Sequence, residues 1–144
     1  MAATRSADVT WRGSLLEGSG TIDRVGSGVL DGQAVSWPAR SEEKSGGKTS
    51  PEELIAAAHA ACFSMALSHG LSQAGTPPEE LHTSAAVTFV PGTGITTIAL
   101  TVRGRVPGLD AAGFRAAAEG AKANCPVSKA LAGVPEITLD AALA

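Results

Sequence analysis

The sequence predicts an α+β fold with antiparallel sheet, in a single domain covering residues 1–144. Three observations carry that expectation. Two runs rich in Val, Thr and Ile, Leu81–Val90 and Ile95–Val106, are joined by the turn sequence PGTG at 91–94. A long Ala-rich apolar segment, SPEELIAAAHAACFSMALSHGL, starts at Ser50 and opens with helix-start residues. Ahead of it, short apolar runs alternate with glycines in the manner of a β-meander.

In chain order, Val9–Leu16, Gly20–Ile22 and Gly28–Val35 are expected as short strands, with Asp31-Gly32 as a hairpin turn. Residues 41–50, SEEKSGGKTS, are expected as a polar loop. Ser50 then suits a helix N-cap, Pro51 the first helical position, and Glu52 and Glu53 the positive end of the helix dipole; Ser50 with Glu53 has capping-box spacing. This helix should run to about Ala74, with Gly75 and Pro77-Pro78 ending it. After the hairpin, Asp110 is the expected N-cap of a helix through about Ala123. Pro126 should open a short helix that stops at Gly133, and Ile137–Leu139 a last strand.

Aromatic residues make up only 3% of the chain, so the core must come from Ala, Leu, Val and Ile with Phe63, Phe89 and Phe114 as rare large pieces. Small side chains bury little area each, which makes a subunit interface a natural supplement. A net charge of −3 with scattered Lys and Arg excludes a basic nucleic-acid surface. The N-terminal MAATRSADVTWRGSL lacks the apolar core of a signal peptide. The Leu54–Leu71 segment is half Ala or Ser and holds His59 and His69, so a core helix is expected, not a membrane span. These features lead to a cytoplasmic expectation, where a disulfide is more often catalytic or sensing than structural.

Cys62 and Cys125 are the only cysteines. At 63 positions apart they form no short metal or CxxC motif and would meet only through folding. Glu52, Ile55, His59 and Cys62 fall within an arc of about 80° on the long helix, a mixed polar and apolar stripe. On spacing alone Cys62 reads equally well as a small core residue. Cys125 stands just before a helix-opening proline, where the helix dipole favours a thiolate, so local electrostatics point to Cys125 as the more reactive thiol. A zinc site from His59 and Cys62 with Cys125 and His82 or His69 is a further alternative, although nothing in the spacing brings those positions together.

The segments PEELIAAAHAACFSMAL and AKANCPVSKAL closely resemble the osmotically inducible protein C (OsmC) family, relatives of the organic hydroperoxide resistance proteins, with the OsmC branch the nearer. The opening VTWRGSLLEGSGTI and SGVL and the ending PEITLDAAL resemble the same family, so the likeness spans nearly the whole chain. It implies an intertwined homodimer, with antiparallel sheets wrapped around a long central helix and two active sites at the interface. It further implies a thiol-dependent peroxidase for organic hydroperoxides and hydrogen peroxide, without bound cofactor or metal. In such proteins the first cysteine attacks the peroxide and becomes a sulfenic acid, and the second condenses with it to a disulfide that an external dithiol, such as a lipoyl protein, reduces. Cys62 matches the attacking cysteine and Cys125 the resolving one, the reverse of the local electrostatic reading. The family's activating arginine matches Arg40, with Arg24 and Arg12 as alternatives, and the glutamate that holds it matches Glu52.

Glu52 and Cys62 are ten residues apart, which on a continuous helix is about 15 Å of rise and beyond a Glu side chain's reach. If both serve one site, the helix is interrupted or Glu52 comes from a partner chain. Composite sites are therefore expected, with Glu52 and Arg40 supplied in trans. Ile55, Phe63, Met65, Leu67 and Phe114 are candidate walls of an apolar pocket beside the thiol, which would favour alkyl hydroperoxides. A redox-sensing or ligand-binding module of the same fold, and a structural dimer with inert thiols, are the competing functions.

Overall fold

The computed structural model describes residues 1–144, which fall into two compact units, Met1–Pro51 and Glu52–Ala144. In the first, strands β1 (Ala7–Arg12), β2 (Ser19–Val25) and β3 (Ala34–Val35) form an antiparallel sheet in that order. The expected meander is present, with shifted boundaries. Gly13, at φ 88°, ends β1 well before Leu16. The expected strand from Gly28 shrinks to two residues, because 26–33 are consumed in turns that Asp31 organises by accepting the Val25 N–H at 2.7 Å.

A short helix not foreseen in the sequence, α1 (Trp37–Ser41), follows. Its start is chemically plain: the Ser36 hydroxyl accepts from the Ala39 N–H at 3.2 Å, and Pro38 sits in the first turn, where its missing N–H costs nothing. Arg40 therefore lies in the last turn of a helix and not in the polar loop, which begins after it.

The second unit is built on helix α2 (Pro51–Gln73), which is uninterrupted. It ends as expected. Gly75 adopts φ 83°, its N–H bonds the Ser72 carbonyl at 3.1 Å, and the Thr76 N–H bonds the Leu71 carbonyl at 2.9 Å, satisfying the last carbonyls of the helix. Strands β4 (Glu80–Val90) and β5 (Gly94–Arg105) make the expected antiparallel hairpin. Helix α3 (Ala111–Asn124) is capped by Asp110, whose carboxylate accepts from the Gly113 N–H at 2.7 Å. Helix α4 (Pro126–Ala130) stops short of the expected Gly133, and β6 (Glu136–Leu143) extends beyond the expected Leu139.

One topological expectation is corrected. Strand order in this sheet is β4-β5-β6, and β6 runs parallel to β5, so the sheet is mixed and not wholly antiparallel. The connection from β5 to β6 passes through α3 and α4, and a helical crossover of that length returns the chain in the same direction.

The core of this unit joins Phe63, Leu67 and Leu71 of α2 to Leu100 and Val102 of β5, Val106, and Phe114, Ala118 and Ala121 of α3, with Cys125 at its edge. Gly104 makes room for Phe114: a Cβ there would lie 2.5 Å from the ring. On α2, the residues buried in the single chain follow one stripe, Glu52, His59, Phe63, Leu67 and Leu71, while Ala57, Ala58, Ala61 and Met65 on other faces are exposed. By length and apolar composition α2 is also the one helix that could cross a membrane. The buried imidazole of His59 and the stripe of Phe63, Leu67 and Leu71 in the core cluster mark it as a core helix of its unit.

Candidate active site

Cys62 sits in the interior of α2, where its own backbone groups are committed to the helix, and it is half-buried against the core. Cys125 occupies the single residue between α3 and α4 and is fully buried. The following proline keeps it out of the helical region (φ −57°, ψ 121°). Its N–H closes α3 on the Ala121 carbonyl at 2.7 Å, and its carbonyl accepts from the Lys129 N–H at 3.0 Å. The first amides of α4 have no carbonyl to bond within their own helix, and they turn to sulfur. The Val127 N–H reaches both Cys62 and Cys125, and Cys125 also receives the Ser128 N–H and hydroxyl.

Both thiols are free, and each affects the other's ionisation, which places the two sulfurs side by side. Folding has thus brought together the two cysteines that the sequence separates most widely in environment. Burial pushes the Cys62 thiol up, and the Cys125 sulfur beside it adds to that, against the Val127 amide. At Cys125 burial also acts upward, but the Ser128 amide, the Cys62 thiol, the Ser128 hydroxyl and the Val127 amide together outweigh it and bring the thiol below its ordinary value. Within this chain the surroundings favour a thiolate at Cys125 and disfavour one at Cys62, as the local helix-start argument expects. Accessibility runs the other way, since Cys125 is fully buried and Cys62 is not.

His59 lies one turn before Cys62 on α2 and is wholly buried. Its Nε2 is 2.7 Å from the Ser128 Oγ. Burial lowers its pKa, so the ring is neutral near pH 7. Sequence reasoning expects a buried, hydrogen-bonded His59 but misses Ser128. The available signal was its place three residues after Cys125, in the first turn of α4, where side chains and free amides converge on the residue before the helix.

Glu52 is buried in the first turn of α2. Because α2 is unbroken, its ten-residue separation from Cys62 stands at about 15 Å of helix rise, beyond the reach of the Glu52 side chain within one chain. Arg40 is half-buried in α1, in the other unit. Of the alternative arginines, Arg24 is exposed and paired with Asp8 at 2.9 Å, and Arg12 is exposed. Among the expected pocket walls, Phe63, Leu67 and Phe114 are core residues around Cys125 and Ile55 is half-buried. Met65 instead faces an open cleft with Ser68, His69 and Glu80. No three His, Cys, Asp or Glu side chains cluster in metal-binding geometry, and His69 and His82 are exposed, so the zinc alternative gains no support.

The family described as OsmC-like protein matches residues 44–140, a stretch that holds both cysteines. Peroxiredoxin OsmC of Escherichia coli (strain K12) is 45% identical over 143 residues, covering 97% of this chain and 96% of that protein. Among solved structures, the organic hydroperoxide resistance protein OhrB of Bacillus subtilis matches with a TM-score of 0.63 at 28% identity, covering 96% of this chain and 98% of its own. An organic hydroperoxide resistance protein OsmC from Legionella pneumophila matches with a TM-score of 0.69 at 25% identity, covering 98% and 99%. With a family match across most of its length and a relative this similar end to end, the chain belongs to the OsmC family.

Proposed function

We propose that this chain is a cysteine-based peroxidase that reduces organic hydroperoxides, and hydrogen peroxide, with electrons from an external dithiol. The observation that carries the proposal is the juxtaposition of the two free thiols, Cys62 and Cys125, each of which affects the other's ionisation. The 45% identical relative is itself named a peroxiredoxin, which supports the same chemistry.

Cys62 is the attacking residue, because a peroxide can reach it and cannot reach the buried Cys125. Its thiolate attacks one peroxide oxygen, the O–O bond breaks, and the alkoxide leaves as an alcohol after taking a proton. The Cys62 sulfenic acid then condenses with Cys125: an S–S bond forms, the S–O bond breaks, and water departs. A dithiol reduces the disulfide. Sulfur is the redox centre throughout.

Burial, with the neighbouring Cys125 sulfur, disfavours the Cys62 thiolate, so the first step needs a cation brought to it. Arg40 fills that role, stabilising the thiolate and the negative charge on the leaving oxygen, and Glu52 holds Arg40. The unbroken helix separates Glu52 from Cys62 of the same chain, which supports a homodimer with composite sites and with Glu52 and Arg40 given in trans. The exposed Ala57, Ala58, Ala61 and Met65 of α2 suit such an interface. The apolar core beside Cys62 favours alkyl hydroperoxides over hydrogen peroxide. The need for a continuous supply of dithiol fits a cytoplasmic setting, and comparing lipoamide with thioredoxin as reductant identifies the partner.

The test is peroxide consumption with a dithiol and cumene or tert-butyl hydroperoxide. Cys62→Ser is expected to lose turnover by about a thousandfold or more. Cys125→Ser is expected to stop after one turnover with a sulfenic acid on Cys62. Turnover retained in Cys62→Ser contradicts the assignment, and so does a sensing role in which both variants and the parent consume no peroxide.

A further inference from the structure

Beyond the two sulfurs, the site holds a buried polar pair that the peroxidase chemistry does not assign. His59 is fully buried, its Nε2 lies 2.7 Å from the Ser128 Oγ, and its Nδ1 is buried with no partner. One ring nitrogen carries the proton. A buried N–H left without an acceptor costs more than a bare lone pair, so Nδ1 is the bare nitrogen and Nε2–H donates to Ser128. The Ser128 oxygen is thereby used as an acceptor, and its single O–H is free to donate onward. Cys125 stands three residues before it, at the start of the same helix, and the Ser128 hydroxyl favours the thiolate there. Donation thus runs in one direction, from His59 through Ser128 to Cys125, and one turn along α2 from His59 stands Cys62.

We propose that His59 and Ser128 are positioning residues that together hold Cys125 as an aimed thiolate for attack on oxidised Cys62. The inference rests on the peroxidase reading and concerns its second step. There the Cys125 thiolate supplies the electron pair of the new S–S bond, Cys125 is oxidised and the Cys62 sulfur reduced. Hydroxide leaves Cys62 and combines with the proton that Cys125 had given up. The proton on Nε2 stays where it is; the imidazole is neutral before and after. The other charged groups around the pair are Glu119 and Lys122 of α3 and Lys129 of α4, which line an open cleft with Ser128. They lie at its rim, so the side chains that favour a Cys125 thiolate are the Cys62 thiol and the Ser128 hydroxyl, and once Cys62 is oxidised the His59–Ser128 pair is the side-chain donor that stays.

Two measurements separate this proposal from the reading on which it rests. In a Cys62→Ala background Cys125 is the lone thiol, and its ionisation is followed by thiolate ultraviolet absorbance. Ser128→Ala and His59→Asn are expected to move that titration upward by about one unit, a tenfold smaller thiolate fraction at a fixed low pH; Ser128→Thr, which keeps the hydroxyl, is expected to restore it. With both cysteines present, stopped-flow oxidation by one equivalent of tert-butyl hydroperoxide should show disulfide formation slowed about tenfold in Ser128→Ala, with sulfenic acid formation at the parental rate. An unchanged Cys125 titration in both Ser128→Ala and His59→Asn overturns the proposal, as does an unchanged disulfide rate. A parent protein that forms no sulfenic acid overturns the peroxidase reading, while the titration still decides the role of the donor chain.

Discussion

The two cysteines stand in opposite kinds of backbone. Cys62 lies within an unbroken helix whose N–H groups are spent on its own carbonyls, while Cys125 lies at a break between helices, where the unspent amides of Val127 and Ser128 converge. A thiolate at Cys125 is therefore stabilised by its own chain segment. A thiolate at Cys62 is opposed by burial and by the neighbouring sulfur, with one amide in its favour. The difference teaches that acidity and access have been divided: the acidic thiol is sealed, and the reachable thiol awaits a cation from elsewhere. Such a division suits a two-step reaction in which the reachable sulfur must be activated with its substrate and the sealed sulfur must already be ready when its turn comes.

The sharpest way to break this comparison is to remove the proposed cation. Arg40→Ala is expected to lower kcat/KM by about a hundredfold, with the loss in the first, peroxide-dependent step, while Arg24→Ala stays within about twofold because that side chain is exposed and held by Asp8. Steady-state rates with tert-butyl hydroperoxide check both; equal effects would return the activating role to Arg24. A subunit-mixing experiment asks where the help for Cys62 comes from. Cys62→Ser and Glu52→Gln homodimers are each expected to be poorly active. Mixed dimers with composite sites regain one complete site, approaching half of the parental activity per dimer, and mixed dimers with self-contained sites regain none.

Two smaller effects test the scaffold under Cys125. Gly104→Ala places a methyl group against the Phe114 ring, on the helix that ends at Cys125, and should cost about 1–3 kcal/mol of unfolding free energy by denaturant titration. His59, kept neutral by burial, has a folded-state pKa below its ordinary 6.5. Between the two values the unfolded chain binds the proton and the folded chain does not, so stability rises with pH in that window. The stability is fully present above about pH 6.5 and is lost as pH falls toward the folded value. Thermal melts should show this acid slope in the parent and a flatter one in His59→Asn.

Most of the second unit was legible because its signals are local and agree with one another. The Ser50-Pro51 start, Gly75 stop, PGTG turn and Asp110 cap each fix an element by short-range chemistry, and α2, the β4–β5 hairpin and α3 appear within a few residues of expectation. What was hidden depends on tertiary context. The parallel direction of β6 follows from where the crossover returns, which no residue of β6 encodes. Helix α1 is only five residues long, too short for a periodic pattern, although Pro in a first turn behind Ser36 is a start signal. In the site, each cysteine's local character was readable, and the helix start by itself points to Cys125 as the thiol more easily ionised. Its meeting with Cys62, and the reach of His59 to Ser128 across 69 positions, are products of packing.

The most direct test of the account is to treat the reduced protein, without oxygen, with one equivalent of tert-butyl hydroperoxide, then count thiols and map peptides. The account predicts one alcohol formed for every two thiols lost, with Cys62 and Cys125 joined in a single intramolecular disulfide. Alcohol formed with both thiols intact, or oxidation confined to Cys125, would contradict it.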